Sequence, residues 1–472
     1  MTQQVHVEPL DIEQLATIVG GERQVALRAA AQAARSALAG RVIVHVNATA
    51  TGGGVAELLP PLLGYSRGVG IDARWSVISG NPQFFAVTKH LHNLIHGYGG
   101  ECELLGPAER TTYQEVLAAA GLDLLAILRA GDVAVLHDPQ TLGLAPRLHH
   151  MGIKIIWRCH IGSDSLNAST AQAWQFLDPY LSAVDRFVFS RAAHRPPNVP
   201  EDRTHVITPS LDPLSAKNRP MADSDVTAVL VYTGLLQGQV AEPPGFTRRD
   251  GSPARLEHCA DLIQLGPPVP ADVPMVVQVS RGDRLKDMGG VMLGFADQVA
   301  TAGPGHLVLA GPNVSGVTDD PEGAAELQHC IQIWRTFPHA IRQRIHLACL
   351  PVADVEENAV IVNALQRHAT VVAQKSLAEG FGLTVLEAMW KARPVVASQV
   401  GGICDQIPDD RFGLLLADPT DLAGFGALVR RLLDDPQLAE KIGNSAAERA
   451  AHFLPDEHLQ RWAQLVTELA AE

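Results

Sequence analysis

The sequence predicts an α/β protein of two doubly wound domains, each a mostly parallel sheet with helices on both faces. Three observations carry that prediction. The chain has 472 residues, and single hydrophobic cores stop growing near roughly 250–300 residues, so two cores are the natural division. Short runs that are apolar throughout, rather than alternating, recur along the chain and mark strands covered on both faces. Each run is followed by a helix-length segment, as βαβ units require.

The predicted strands are 42–46, 133–136, 153–157 and 186–189, then 275–279, 307–310, 370–373 and 395–397. Between the two sets lies 209–274, rich in Pro, Gly and charge (QGQVAEPPGFTRRDGSPAR, LGPPVPADVP). That composition predicts a linker and surface loops, with one short helix near 226–236. The domain boundary is placed near Leu211, giving a first domain over 1–211 and a second over 212–452. The stretch 456–471 predicts an amphipathic helix beyond the final domain, with no strand of its own to cover.

Composition narrows the function. Hydrophobic residues make up 46% and charged residues 19%, globular values with enough apolar surface for two buried sheets. A net charge of −14 repels a polyanionic backbone at long range, so no nucleic-acid partner is expected. A few local basic groups can still hold a small anion. The six cysteines are scattered without a CxxC pair, which suits reduced core thiols. The N-terminal stretch is acidic where a signal peptide needs basic charge, and no 18-residue apolar run occurs, so a cytoplasmic protein without a membrane segment is expected.

Four segments carry chemistry. Asn47-Ala-Thr-Ala-Thr-Gly-Gly-Gly54 follows the first strand, where glycines admit close backbone approach and a helix N-terminus attracts an anion. A tight turn explains the glycines equally well. The segment is not a GxGxxG fingerprint, which weakens a dehydrogenase reading. Pro60 and Pro61 sit awkwardly in the next helix and predict a kink or a late start.

Ser280-Arg281-Gly-Asp283-Arg-Leu-Lys286-Asp287 follows the strand that opens the second half, placing Arg281 and Lys286 where open α/β sheets bind ligands. Two such cations neutralise a diphosphate, although Arg and Lys in a loop are more often a solvated face. Glu379 and Glu387 flank Gly380-Phe-Gly382-Leu383 after the strand 370–373, with Glu379 expected in the loop and Glu387 about two turns into a helix. Carboxylates there suit sugar or ribose hydroxyls; a capping acid and a helix-face acid are the bland alternative. Gly401-Gly402 supplies a second small-residue loop. His137-Asp-Pro-Gln and Trp-Arg-Cys-His160 end two strands of the first half, and both histidines fall on the edge that carries the glycine loop.

Together these residues resemble the retaining glycosyltransferases of the glycogen-synthase-like and sucrose-synthase-like group, marked by E-x7-E with an upstream Arg and Lys. More narrowly they are similar to the trehalose glycosyltransferring synthases. The segments NATATGGGVAELL, DARWSVISGNPQFFAVTKHLHNLIHG, HDPQ, WRCHIG, ITPSLDPLSAKN, VVQVSRGDRLKD and AEGFGLTVLEAMWKARPVVASQVGGI carry the likeness, spanning most of 47–403. The resemblance implies the GT-B fold, two Rossmann-like domains facing across a cleft, with the terminal helix (453–472) crossing back onto the first.

By the same resemblance, Arg281 and Lys286 bind the donor diphosphate and Glu387 the nucleotide ribose. Glu379 contacts the transferred sugar, helped by the backbone of Gly380, Phe381, Gly382 and Leu383. Gly53 and Gly54 lie near the phosphates and acceptor, and His137 or His160 lies beside the sugar. The implied donor is ADP-, UDP- or GDP-glucose, with no prosthetic group and no metal demanded. A homodimer is the assembly expected if the chain self-associates. Many relatives carry an aromatic residue where this chain has Gly282, so a looser diphosphate loop is expected.

The implied reaction joins activated glucose to free glucose with retention and without a protein nucleophile. Two alternatives stand beside it: another acceptor on the same fold, or a nucleotide-sugar-binding protein that does not catalyse.

Overall fold

In the computed structural model, which describes residues 2–50, 53–99, 105–313 and 321–472, the aliphatic runs build two separate seven-stranded sheets. Contacts divide the chain into two compact units. One comprises Met1–Ser210, Glu379–Phe381 and Phe453–Glu472; the other comprises Leu211–Ala378 and Gly382–His452.

The first sheet contains β1 (Thr2–Val5), β2 (Ile43–Asn47), β3 (Ala73–Ile78), β4 (Val133–His137), β5 (Lys154–Cys159), β6 (Arg186–Phe189) and β7 (Thr204–Val206). Their spatial order is β1-β3-β2-β4-β5-β6-β7. β1 runs antiparallel to β3, and the other pairs are parallel. Because β2 lies between β3 and β4, the winding reverses at its carboxyl end, the position where open sheets of this kind take ligands. The core is aliphatic with an aromatic knot: Trp157 meets Trp174, Phe187 and Phe189 edge-on, with centroids 6.1–6.3 Å apart.

Pro60 and Pro61 do not delay the helix after β2, which runs from Gly54 to Gly68 through both. The reason is burial. Leu58, Leu59, Leu62 and Leu63 are all at most 6% exposed; at about 1.5–3 kcal/mol each they outweigh two prolines at about 3 kcal/mol each. The terminal helix, Pro455–Ala470, packs on the helix Gly21–Leu38. Leu459, Trp462, Val466 and Leu469, spaced three and four apart, form its buried stripe. Arg23 grips the buried Asp456 carboxylate with two bonds of 2.7 Å.

The second sheet contains β10 (Asp261–Ile263), β11 (Met275–Val279), β12 (His306–Pro312), β13 (Ile345–Leu350), β14 (Val371–Gln374), β15 (Val395–Ser398) and β16 (Leu414–Leu416). The order is β10-β13-β12-β11-β14-β15-β16, with only β10 antiparallel. Here the winding reverses at β11. The stretch 209–274 is more than linker and loops. It holds the helix Asp223–Tyr232, a hairpin of β8 (Gly245–Thr247) and β9 (Pro253–Arg255), and the edge strand β10. Proline and charge masked it, because three-residue edge strands need little apolar surface.

Cys159 and Cys330 are buried, whereas Cys259 is exposed and does not fit the expected set of core thiols; Cys102 lies outside the described residues. Among the described residues no helix is long and apolar enough to cross a membrane.

Candidate active site

Within the first unit, the middle of β2 and the carboxyl ends of β4 and β5 carry a linked polar group. His45 of β2 is 5% exposed, His137 closes β4, and His160 follows β5. His45 Nδ1 lies 3.0 Å from His137 Nε2, and His137 Nδ1 lies 2.9 Å from His160 Nε2. The rings stack in pairs with centroids 5.2 Å apart. Burial dominates their ionisation, holding His45 down to about 3 and the other two well below the usual histidine range. Burial thus favours the neutral form of all three.

Asp138, next to His137, adopts a left-handed conformation (φ 59°) that a non-glycine residue seldom holds without support. The support is visible. Its Oδ1 accepts the His160 backbone N–H at 2.6 Å and its carbonyl accepts Trp157 Nε1–H at 3.0 Å. Burial pushes the Asp138 carboxyl up to about 7. Arg158 is fully buried beneath the row, donates to the Ile207 carbonyl at 3.2 Å and lies over the Trp462 ring at 5.3 Å.

Gly53 is extended and caps the helix that begins at Gly54. Thr51 and Gly52 of the same loop lie outside the described residues. Glu379, Gly380 and Phe381 group with the first unit. A Cβ on Gly380 would meet the His160 carbonyl oxygen at 2.6 Å, so only glycine fits there. Phe381 is 6% exposed, its ring 6.0 Å from that of Phe453.

Within the second unit, Arg281 and Lys286 share the loop after β11, both half-buried. The loop is pinned from beneath. Gln278 Nε2–H donates to the Lys286 carbonyl at 2.7 Å, Leu377 N–H to the Leu285 carbonyl at 2.7 Å, and Lys286 N–H to the Asp283 carbonyl at 2.8 Å. Lys375, fully buried beyond β14, pairs with Asp287, and its backbone N–H donates to Gln278 Oε1 at 3.1 Å. At Gly282, where a looser loop is expected, the chain packs closely against another backbone. A Cβ there would stand 2.8 Å from the Gly323 carbonyl oxygen and 3.0 Å from its Cα, so glycine lets the helix Pro321–Thr336 approach.

Gly382, with φ 87°, turns the chain into the helix Leu383–Trp390. Glu387 is its fifth residue, a little over one turn in rather than two, because the helix begins only after that turn. Its Oε1 lies 3.6 Å from Lys217 Nζ. Lys217 was absent from the candidates, although it stands in the SAKN segment of the sequence. It is positioned by its neighbours: Asn363 Nδ2–H donates to the carbonyls of Ala216 at 3.0 Å and Arg219 at 2.9 Å. Trp390 Nε1–H donates to the Asn218 carbonyl at 3.1 Å. Lys391 Nζ reaches Gln366 Oε1 at 2.7 Å, Asn218 Oδ1 at 3.1 Å and the Glu387 carbonyl at 3.2 Å. Burial lowers Lys391 to about 7 against the pull of Glu387.

Each half thus gathers its own residues: His137, His160 and Gly380 in the first, Arg281, Lys286, Leu383 and Glu387 at the carboxyl edge of the second. No group of three or more His, Cys, Asp or Glu among the described residues is arranged to hold a metal ion.

Residues 45–196 match the family model described as trehalose synthase, N-terminal domain, and residues 357–449 match glycosyl transferases group 1. The chain is 32% identical over 458 residues to a trehalose synthase of Thermococcus litoralis, covering 96% of both chains. It is 33% identical over 425 residues to that of Rubrobacter xylanophilus, covering 88% of this chain and 89% of the other. A solved E. coli trehalose-6-phosphate structure, bound with UDP-2-fluoro glucose, superposes with a TM-score of 0.64 at 15% identity, covering 92% of this chain and 99% of that one. That likeness is one of fold, the GT-B fold of two Rossmann-like units.

Proposed function

Given that the chain belongs to the trehalose synthase family of glycosyltransferases, we propose that it moves glucose from a nucleoside diphosphate glucose to free glucose, forming trehalose with retention. The observation that carries this reading is the pinned Arg281–Lys286 loop at the switch point of the second sheet. Glycosyl transfer to a sugar hydroxyl needs positive charge where the diphosphate departs, and a loop held rigid supplies it without reorganisation.

In this reading the second unit takes the donor and the first the acceptor. Arg281 and Lys286 neutralise the diphosphate. Glu387, steadied by Lys217, accepts from the ribose hydroxyls, while the backbone from Gly380 through Leu383 meets the sugar. Glu379 accepts from the hydroxyls of the transferred glucose. Gly53 and Gly54 line the approach of the acceptor, and His137 or His160 stands beside the transferred sugar. The acceptor hydroxyl attacks the anomeric carbon from the face that the diphosphate leaves. The bond from that carbon to the leaving oxygen breaks as the new glycosidic bond forms, and a leaving phosphate oxygen takes the hydroxyl proton. The protein's part is orientation and charge.

A matrix of ADP-, UDP- and GDP-glucose against glucose, other hexoses and polyols, with the product identified by mass spectrometry, tests this. Trehalose and free nucleoside diphosphate are expected, with Lys286→Ala reducing turnover about 10²–10³-fold. Absence of turnover with every donor defeats the reading, and a product from another acceptor redirects it.

A further inference from the structure

The histidine row of the first unit has a property that no single member has. His137 uses both ring nitrogens, Nε2 toward His45 Nδ1 and Nδ1 toward His160 Nε2. A neutral imidazole has one donor nitrogen and one acceptor nitrogen. If His45 donates from Nδ1, His137 must accept at Nε2 and donate from Nδ1, and His160 must accept at Nε2 and carry its proton on Nδ1. If His160 donates from Nε2, all three protons move to Nε2. The three tautomers are therefore one variable.

The far end selects its value. His45 lines a cavity of about 50 Å³ between β2, the helix Gly54–Gly68 and the terminal helix, whose other walls include Leu27, Ile43, Leu62 and Val466. With Nδ1 committed to His137, the remaining ring nitrogen of His45 is Nε2. In such surroundings a buried N–H left without a partner is rarer than a buried acceptor so left, which favours the lone pair at Nε2 and the proton at Nδ1. The neighbouring His458 is set in the same form by different means. Its Nδ1 faces the Thr208 carbonyl at 2.8 Å, which can only accept, and its Nε2 meets Trp462 Nε1–H at 3.0 Å, which can only donate.

We propose that His45 and His137 are positioning residues that lock His160 with its proton on Nδ1, making it a fixed hydrogen-bond donor toward a hydroxyl oxygen of the bound sugar. The proposal rests on the reading of His160 as a sugar-facing residue. Its physical content is preorganisation. A neutral imidazole in mixed tautomers presents a donor only part of the time, whereas the row presents one continuously without a charge at the reaction centre.

The test is proton-coupled ¹⁵N spectroscopy on protein labelled at histidine, with His45, His137 and His160 assigned through single His→Gln variants. Wild-type protein is expected to show all three rings protonated at Nδ1. Rings in different tautomers, or all protonated at Nε2, overturn the proposal, and this arm needs no variant to fold. In His45→Phe the single Nδ1 form of His160 is expected to be lost, with kcat falling about five- to tenfold and donor KM within about twofold. An unchanged His160 signature in the folded variant overturns it as well. His160→Ala separates the two readings: wild-type turnover in that variant removes His160 from the sugar while leaving the coupled tautomers standing.

Discussion

Replacing Gly282 by alanine perturbs the donor loop with a single carbon. The new Cβ would stand 2.8 Å from the Gly323 carbonyl oxygen, 3.0 Å from its Cα and 3.3 Å from its carbonyl carbon. Ordinary van der Waals contact begins near 3.4 Å, so the two backbones must part by several tenths of an ångström. Neither side yields freely. On one side the loop is held by Gln278, Leu377 and the Lys375–Asp287 pair. On the other, Glu322 Oε1 accepts the Arg284 backbone N–H at 3.2 Å. Overpacking of this kind costs about 1–3 kcal/mol. If the loop moves, the loss falls on the donor, and Kd rises about five- to 150-fold. If the helix start moves, the loss appears in the unfolding free energy of the second unit. Calorimetric titration with nucleoside diphosphate and urea denaturation followed on the same protein read both channels. Gly282→Phe should be worse in the same channel. The reasoning fails if Gly282→Ala leaves donor affinity and stability both unchanged, or if the aromatic variant binds donor more tightly.

Three further outcomes are expected. Lys217→Met withdraws the cation beside Glu387, and donor KM should rise by about fivefold to thirtyfold, or about 1–2 kcal/mol, with kcat less affected; steady-state kinetics with varied donor decide it. The Glu357 carboxylate, hydrogen-bonded to His258 Nδ1 at 2.7 Å, raises that imidazole above its usual range. A raised histidine contributes stability that is complete below its unfolded value near 6.5 and is lost as pH climbs through the folded one. The urea midpoint should therefore separate wild type from His258→Gln more at about pH 5.5 than at about pH 8.5, and equal separation refutes the pairing. Trp462→Ala empties a buried site and removes the donor to His458, which should cost about 3–5 kcal/mol and, in a scanning calorimeter, lower the transition of the first unit alone.

Much of the architecture was legible because parallel strands buried on both faces must be apolar throughout. The runs 186–189 and 275–279 coincide with β6 and β11. Strands that obey another rule escaped. β1 reads TQQV, polar because it lies at the sheet edge, and β3 reads ARWSVI, interrupted by a charge and a buried serine. The candidate site divides along the same line. Residues that close or closely follow strands, such as His137 and Arg281, show themselves by place. Lys217 and His45 do not, since one is defined by its distance to Glu387 and the other by a partner 92 residues away. A lysine near the start of a proline-rich stretch and a histidine inside a strand carry no local mark. Gly282 was legible as a departure, but its close packing was not, because that depends on how near Gly323 comes.

The terminal helix has a bearing on how the chain is made. Its stripe of Leu459, Trp462, Val466 and Leu469 covers the helix Gly21–Leu38, and Asp456 answers Arg23 from 433 residues away. Residues 1–210 therefore precede in the chain the helix that covers their apolar flank, and the second unit, nearly continuous in sequence, lies between the two. The first unit is closed only by residues that follow the whole of the second.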